Sequence, residues 1–379
     1  MSQSPLGRPR SVLVVGSGLS AVATAGFLDQ AGLDPVVAST REETTTTGGT
    51  VLWRPGLVLL ERIGLRRPVE QFGTPIKGRH CLTTDRLWTT DSDRRPSLLA
   101  VDDARLGELI DQYVLKRIRV TDRSVTAVEP TDGGVCATFE DAVTEPFDAV
   151  VTTTRSLRSG RPEASTAIHS WRFRRPAALP IPPRATEAWA DRRAALLVPV
   201  SEGFHVRLVS TADADSAAAL SIDELERQFG RLFEFIATAA DQSSAPFAAL
   251  DQRDLRYSRS RLQAPTATAD NGIVRVGSAA RGSVPGDPLA ASLGIEDGWV
   301  LADALAYGPD SVGAALADYE RRRRRRERAL AVAVGEAAET CLADRSPPLC
   351  HLMARRRLAF GHVHDGQPNP LAGSVPQRL

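Results

Sequence analysis

The stretch SVLVVGSGLSAVATAGFLDQAG, from Ser11 to Gly32, decides the fold of this chain. Five residues of an apolar, strand-like run lead into glycines, and a long apolar segment typical of a helix follows. Gly16, Gly18 and Ala21 occupy the three small-residue positions of the G-x-G-x-x-G/A pattern, which gives a tight turn, close backbone approach to a phosphate and close helix packing. A second short strand at 35–38 completes the start of a βαβ unit. The stretch therefore predicts a Rossmann-like α/β domain.

A helix that begins behind such a turn presents unpaired N–H groups and a partial positive charge to an anion. We expect Gly16, Ser17, Gly18, Ser20 and Ala21 to face the phosphates of a dinucleotide. The alternative is that the small residues serve only helix packing, and the sequence leaves both interpretations open. At the end of the second strand, where an acidic residue usually binds a ribose, the chain has Ser39.

The composition describes an ordinary globular protein. The 379 residues are 42% hydrophobic and 25% charged, with 47 Lys and Arg against 46 Asp and Glu, a net charge of +1. This balance gives no reason to expect a nucleic-acid or membrane partner. The four cysteines match neither a zinc pattern nor a disulfide framework, and there is no signal-like or membrane-spanning apolar run. We expect a cytoplasmic protein.

Further along the chain, the pattern predicts helices over 54–63, 102–117, 221–239, 289–305 and 311–336, and a hairpin over 79–90. Alternating polar and apolar residues over 166–210 predict an antiparallel sheet. We therefore predict a discontinuous Rossmann-like domain over 1–76, 98–164 and 262–343, into which an antiparallel β-sheet substrate domain over 77–97 and 165–261 is inserted. The first domain ends in a C-terminal helical segment, and residues 344–379 form an irregular tail.

Five segments in order resemble the class A flavin monooxygenases, which have the para-hydroxybenzoate hydroxylase fold. They are GGTVLWRPGLVLLERIGL (48–65), STAIHSWRFRRP (165–176), ATEAWADRRAALLVPVSEGFHVRL (185–208), GIVRVGSAARGSVPGDPLAASLGIEDGWVLADALA (272–306) and ALADYERRRRRRERA (315–329). The fourth is similar to the family's GDAAH segment, and the fifth to its last core helix. The resemblance covers about residues 11–328.

The resemblance implies that FAD lies along the first domain, with its ring at the boundary with the sheet domain. NAD(P)H would reduce the FAD, and the substrate would be a hydrophobic aromatic or polyketide-like small molecule. It also implies cofactor contacts from Gly277, Ser278 and Pro285, in addition to Ser39 and the glycine turn.

Several polar anchors of the family are replaced in this chain. Ser39 and Ser278 stand where the family has acids, Asp103 stands where it has an arginine that contacts pyrophosphate, and Thr152, Thr153, Thr154 and Arg155 replace a small-residue turn. The family's GQGxN becomes Pro288 to Ser292, and proline has no N–H to donate. Three functions therefore stay open: a flavin monooxygenase, a flavin-independent enzyme for cyclisation or rearrangement, and a non-catalytic relative.

His169 and His205 lie in the predicted antiparallel sheet, where either could act as a catalytic acid or base, although buried structural histidines are common. The run Arg321 to Arg326 is expected to be a solvated helix face. His362 and His364 have no neighbouring acids or cysteines, so we predict no metal site.

Overall fold

The computed structural model describes residues 11–39, 48–83, 86–91, 98–154, 167–176, 183–201, 203–211, 220–240, 247, 250–261, 269–281 and 290–330. Pro285, Arg155, Pro288, the two tail histidines and the predicted tail 344–379 lie outside these ranges.

A six-stranded, mainly parallel sheet contains the sequence-predicted βαβ start. Its order is β18 (Ala269–Asp270), β19 (Ile273–Arg275), β12 (Ala149–Thr152), β1 (Ser11–Val15), β2 (Asp34–Ala38) and β8 (Arg119–Thr121). Strand β1 pairs in parallel with β2 and β12, and β12 pairs in parallel with β19. The carboxyl ends of these four strands therefore meet at one edge of the sheet, as in nucleotide-binding α/β folds.

The structure contains the predicted helices, within a few residues at each described end, together with two short ones at Arg66–Phe72 and Ser278–Arg281 that the sequence analysis did not predict. They are α1 (Leu19–Gln30), α2 (Arg54–Arg62), α3 (Arg66–Phe72), α4 (Asp103–Tyr113), α5 (Ile222–Ala240), α6 (Ser278–Arg281), α7 (Ala290–Tyr307) and α8 (Val312–Leu330). Short 3-10 turns cover Leu115–Arg117 and Gln252–Asp254.

A seven-stranded sheet forms the second layer of structure. Its order is β17 (Arg256–Arg261), β13 (Ala167–Pro176), β16 (Gly203–Ser210), β15 (Arg193–Val200), β14 (Arg184–Ala190), β5 (Gly78–Thr83) and β6 (Arg86–Asp91). The expectation of a purely antiparallel sheet is wrong at one place, because β14 pairs in parallel with β5. This pairing joins segments about a hundred residues apart, and the predicted 79–90 hairpin becomes the sheet edge.

Two three-stranded sheets complete the described structure. One has the order β3 (Gly49–Trp53), β7 (Leu98–Asp102) and β4 (Thr74–Ile76), and the other has the order β11 (Thr144–Phe147), β10 (Gly134–Phe139) and β9 (Val125–Thr131). Strand β7 leads directly into α4, so the first of these sheets positions the N-terminus of that helix.

Helices α1 and α7 pack unusually closely because glycines of α7 lie against small polar residues of α1. A methyl group placed on Gly298 would lie 2.4 Å from Thr24 Oγ1 and 2.9 Å from Thr24 Cα. One on Gly294 would lie 1.9 Å from Ser20 Oγ. The helix that carries the glycine turn is therefore fixed by α7.

We expect Gly298→Ala to lower the free energy of unfolding by about 1 to 3 kcal/mol, because the clash includes backbone that cannot rotate away. Gly313→Ala in α8 is the matched control, since nothing lies within 4 Å of its added methyl group. That control is expected to raise the free energy of unfolding by about 0.5 to 1 kcal/mol through helix propensity. Urea unfolding of both variants measures the difference, and equal values for the two would contradict the close packing.

The arginine run of α8 is not a solvated face along its whole length, and that expectation is wrong for two of its members. Arg323 is 2% exposed and pairs with Glu296 at 3.2 Å and with Asp297 at 2.6 Å, and both acids are fully buried in α7. Arg322 pairs with Asp303 and Asp318, each at 2.6 Å. A helix distributes consecutive residues around its axis, so part of the run must face α7.

Candidate active site

The glycine turn has the geometry that its sequence predicts. Gly16 has φ +136°, which side-chain-bearing residues rarely adopt, and its N–H donates to the carbonyl of Ala38 at 2.8 Å. A methyl group there would lie 2.0 Å from Thr153 Oγ1. Gly16 is therefore required by the turn and by the close approach of Thr153.

The residues after Gly16 divide into exposed and packed positions. Ser17 and Gly18 are exposed, and nothing lies within 4 Å of a methyl group placed on Gly18. Gly18 caps α1 without a side-chain hydrogen bond, and its carbonyl accepts from the N–H of Ala21 at 2.9 Å. Ala21 is buried, and Ser20 packs against Gly277 and Gly294. Ser17 and Gly18 are thus the positions open to a ligand.

The other predicted cofactor residues lie at the same sheet edge. Ser39 follows β2 directly, and its carbonyl accepts from Val125 N at 3.1 Å. Gly277, with φ +62°, donates its N–H to Asp297 Oδ2 at 2.8 Å. Ser278 is exposed and donates to the Thr153 carbonyl at 3.2 Å. The structure brings these residues together with Gly16 to Gly18.

A second concave region, which we call the seam cavity, lies between the seven-stranded sheet and the start of α4. Its volume is about 120 Å³. Its charged lining consists of Asp103, Arg172, Glu187, His205 and Arg207. Aliphatic side chains of β3, β7, β14 and β15 form the rest of the wall. The cavity therefore offers an apolar surface with a concentrated group of charges.

His205 on β16 is held by the residue that caps α4. Its ring is 6% exposed, and Nε2 lies 3.0 Å from Asp102 Oδ2. The other oxygen of Asp102 accepts from the N–H groups of Ala104 and Arg105, at 3.0 and 3.3 Å. Burial lowers the pKa of His205, although the hydrogen bond to Asp102 opposes this effect.

Asp103, the first residue of α4, turns into the protein. It accepts a hydrogen bond from Thr50 Oγ1 at 2.6 Å, and a methyl group on Gly48 would lie 2.3 Å from its Oδ2. Burial raises the pKa of this carboxyl group, while the Thr50 hydrogen bond and the charge of Arg172 lower it. The residue that replaces the family's arginine thus has partners of its own within the chain.

Arg172 and Arg207 stand directly opposite each other on β13 and β16. Arg207 Nε donates to Ser170 Oγ at 3.0 Å, and no described residue accepts a hydrogen bond from its two terminal nitrogens. Burial, together with the charge of Arg172, lowers the pKa of Arg207 to about 10, against the opposing effect of Asp103. The two arginines can bind an anionic group of a ligand, beside the carboxyl groups of Asp103 and Glu187 in the same wall.

His169 lies on the other face of the same sheet. It is 4% exposed, and its Nδ1 is 2.9 Å from the hydroxyl of Tyr257. Its ring stacks near Trp171, which contacts Phe229 of α5 in an aromatic cluster. Of the two predicted catalytic histidines, the structure brings only His205 to the seam cavity.

The described residues contain no helix that is both long and apolar enough to cross a membrane. Within the same ranges, no group of three or more His, Cys, Asp or Glu side chains is placed to hold a metal ion.

Comparison with known proteins gives structural rather than sequence relatives. No family model and no curated sequence matches the chain. HpxO of Klebsiella pneumoniae, crystallised with FAD and uric acid, superposes with a TM-score of 0.70 at 18% identity, over 94% of this chain and 95% of that one. 2-Methyl-3-hydroxypyridine-5-carboxylic acid oxygenase superposes with a TM-score of 0.69 at 17% identity, over 91% of this chain and 96% of that one. The tetracycline destructase Tet(51) superposes with a TM-score of 0.68 at 13% identity, over 97% of this chain and 99% of that one.

The chain has the class A flavin monooxygenase fold. This confirms the fold implied by the resemblance.

The sequence analysis did not identify Arg172, Glu187 or Arg207, three of the five charged residues that line the seam cavity. Arg172 and Arg207 are separated by 35 positions and become neighbours only through strand pairing. Both arginines lie within strands that also contain large apolar residues such as Trp171 and Leu208, and a charge in such a strand was a usable signal. Asp102 could have been recognised as a helix cap, but its bond to His205 is not visible in the sequence.

Proposed function

We propose that this protein is an FAD-dependent oxidoreductase of the monooxygenase type that acts on a small molecule with an apolar, aromatic or polyketide-like body and an acidic group. The exposed helix start at Ser17 and Gly18 is the observation that carries the proposal. It lies at the carboxyl edge of the parallel sheet, where nucleotides bind in this class of fold.

The described residues at this edge fit the pyrophosphate of FAD. Gly18 has free space around it, and the first N–H groups of α1 point outward, so an anion can approach without a side-chain clash. Ser39 and Ser278 would supply neutral hydrogen bonds in place of acids. When bound and reduced by NAD(P)H, FAD supplies the oxygen chemistry, and the protein supplies placement. Pro285, predicted as a contact, lies outside the described residues.

The seam cavity is the proposed substrate site. Its aliphatic wall suits a hydrophobic ring, as expected from the resemblance. Its arginines favour, in addition, a substrate that carries an acidic group. Arg207 has terminal nitrogens without a described acceptor, so a carboxylate or phenolate of the ligand would complete its hydrogen bonding. Arg172 adds charge at the same cross-strand position. These two residues would orient the substrate.

The division into two domains, with the boundaries given in the sequence analysis, remains part of this proposal. A cytoplasmic location and a lack of nucleic-acid partners also remain proposals, supported by the balanced charge of +1 and by the reduced state expected for the four cysteines.

The direct test is an absorbance spectrum of the purified protein, followed by titration with FAD. We expect flavin bands or saturable binding in the unmodified protein. Gly18→Val is expected to weaken FAD binding about 10- to 100-fold, because the new side chain fills the phosphate approach. Gly107→Val in α4 is the control, since that position is also free of neighbours but lies away from the turn. A colourless protein that refuses FAD would refute the FAD-dependent function.

One observation favours a second candidate, a flavin-independent cyclisation or rearrangement in the same cavity. Asp103, which stands where the family has an arginine that contacts pyrophosphate, instead lines the seam cavity and accepts a hydrogen bond from Thr50 Oγ1 at 2.6 Å. A protein that binds aromatic acids in a thermal-shift assay but never binds FAD would support this candidate over the first.

A further inference from the structure

The ring of His205 carries a buried nitrogen whose hydrogen bonding is incomplete. Nδ1 is shielded from solvent, and no group in the described part of the chain bonds to it. Buried polar atoms in folded proteins nearly always have a partner, and leaving one unpaired costs about 1 to 3 kcal/mol. Because His205 lines the seam cavity, a ligand there is the natural partner for Nδ1.

The contacts of the ring fix its orientation. Gly49 lies against the Cδ2 side, since a methyl group on Gly49 would be 2.5 Å from Cδ2 and 3.0 Å from Cγ. The Nδ1 side is therefore turned away from β3. Asp102 lies at Nε2, and a carboxylate accepts a hydrogen bond, so the neutral ring carries its proton on Nε2. The lone pair is then on Nδ1.

The same cavity contains groups that stabilise a negative charge. His205 on β16 pairs with Arg174 on β13. Two residues further along the same strands, Arg207 pairs with Arg172. An acidic hydroxyl that loses its proton beside them becomes an oxyanion, which guanidinium groups bind strongly. A proton acceptor and an anion site thus line one small cavity.

We propose that Asp102 and His205 form a proton-accepting pair for an acidic hydroxyl, a phenol or an enol, of the ligand bound in the seam cavity. The O–H bond of the ligand breaks, its electron pair stays on the oxygen that faces Arg207 and Arg172, and the proton forms a new N–H bond at Nδ1. The resulting imidazolium is stabilised by Asp102, which is a positioning residue. The proposal deepens the proposed substrate site and does not require FAD.

The charges around His205 suit this role. Asp102 and Asp103 on α4 favour its protonated form, Arg174 on β13 opposes it, and the backbone of Gly49 on β3 packs against the ring. The same cavity wall also carries Glu187 on β14, Arg172 on β13 and Arg207 on β16. Burial outweighs the effect of Asp102 and Asp103 and lowers the pKa of His205, so the ring is neutral and able to accept a proton at pH 7.

The first test reads the ring directly, without ligand or flavin. In protein labelled with ¹⁵N-histidine, long-range ¹H–¹⁵N spectra show which ring nitrogen carries the proton, and the loss of signal in His205→Gln assigns the residue among the six histidines. We expect the proton on Nε2. Asp102→Asn keeps a good helix cap but removes the carboxylate, and it is expected to move the proton to Nδ1. A proton on Nδ1 in the unmodified protein would overturn the proposal.

The second test uses 4-nitrophenol, whose phenolate is yellow, at a pH below the pKa of the free phenol. The unmodified protein is expected to increase the ratio of phenolate to phenol in the bound probe about tenfold, equivalent to one pKa unit. His205→Gln and Asp102→Asn are expected to abolish the increase. The proposed proton-accepting pair would be refuted if 4-nitrophenol did not bind, or if His205→Gln and Asp102→Asn kept the increased ratio of phenolate to phenol. It would also be refuted if His169→Gln, rather than these two variants, lost that increase. Because no flavin is present, failure here is distinct from failure to bind FAD.

Discussion

Replacing Arg323 by methionine is expected to lower the free energy of unfolding by about 3 to 5 kcal/mol. Arg323 is the cation between Glu296 and Asp297, and all three side chains are buried where α8 meets α7. Methionine has a similar length, so little packing is lost. The cost arises because two carboxylates are left in the core without a counter-charge.

Arg324→Met is the matched control. Its guanidinium is 63% exposed and pairs with Glu320 one turn away, an interaction worth about 0.3 to 0.5 kcal/mol. Urea unfolding of the two variants compares neighbouring arginines of one run. Adding Glu296→Gln and Asp297→Asn to Arg323→Met is expected to restore most of the lost stability, since Asn can still accept the hydrogen bond from Gly277 N. Equal effects of the two single variants would contradict the buried network.

The elements that the sequence predicted correctly depend on local signals. Helix α5 begins where Ser221 and Glu224 form a capping box, with Ser221 N donating to the Glu224 carboxylate at 2.7 Å and Glu224 N donating to the Ser221 hydroxyl at 3.3 Å. The glycine turn is equally local, because φ +136° at Gly16 and the helix start after Gly18 lie within three residues.

What the sequence did not predict depends on contacts between distant segments. The parallel pairing of β14 with β5 has no local signature, since the paired residues are 106 positions apart, as Arg184 and Gly78 are. The burial of Arg323 needs Glu296, which lies 27 positions earlier. A run of arginines in isolation indicates solvent exposure, and only the position of α7 shows which members face inward.

The candidate site divides in the same way. The sequence indicated the ligand-facing turn and named His205, but it ranked His169 equally, because strand alternation places the two histidines on opposite faces only once the register is known. The sequence analysis identified Asp103 only as the replacement of an arginine that contacts pyrophosphate. The structure shows a carboxyl group hydrogen-bonded to Thr50 and close to Arg172, so its charge is partly compensated.

Replacing Arg207 by methionine is expected to raise the free energy of unfolding by about 1 to 3 kcal/mol, opposite in sign to Arg323→Met. Arg207 forms no ion pair within the described chain, and burial lowers its pKa to about 10, so the charged form is held at a cost. Asp103 opposes only part of this cost, so we expect the charge to be retained for a ligand, with some stability lost in favour of binding.

The same variant should lose most of its preference for an anion. Benzoate and benzamide have nearly the same shape, and we expect the unmodified protein to bind benzoate about 10- to 100-fold more tightly, from one charged hydrogen-bonding pair. In Arg207→Met this preference should fall about tenfold, with a small remainder from Arg172 in the same wall. Calorimetric titration of both ligands gives the ratio, and thermal unfolding of the same samples gives the stability.

Arg256→Met is the control for both measurements. Arg256 belongs to the same cross-strand row, opposite Arg172 on the edge strand β17, but its guanidinium already donates to the backbone carbonyls of Arg253 and Leu255. Arg256→Met should leave the ratio of benzoate affinity to benzamide affinity unchanged. It should not raise the free energy of unfolding as Arg207→Met does. If Arg207→Met destabilised the protein and left the preference for benzoate unchanged, Arg207 would be a structural residue with a partner inside the fold, and the acidic group of the substrate would have to bind elsewhere.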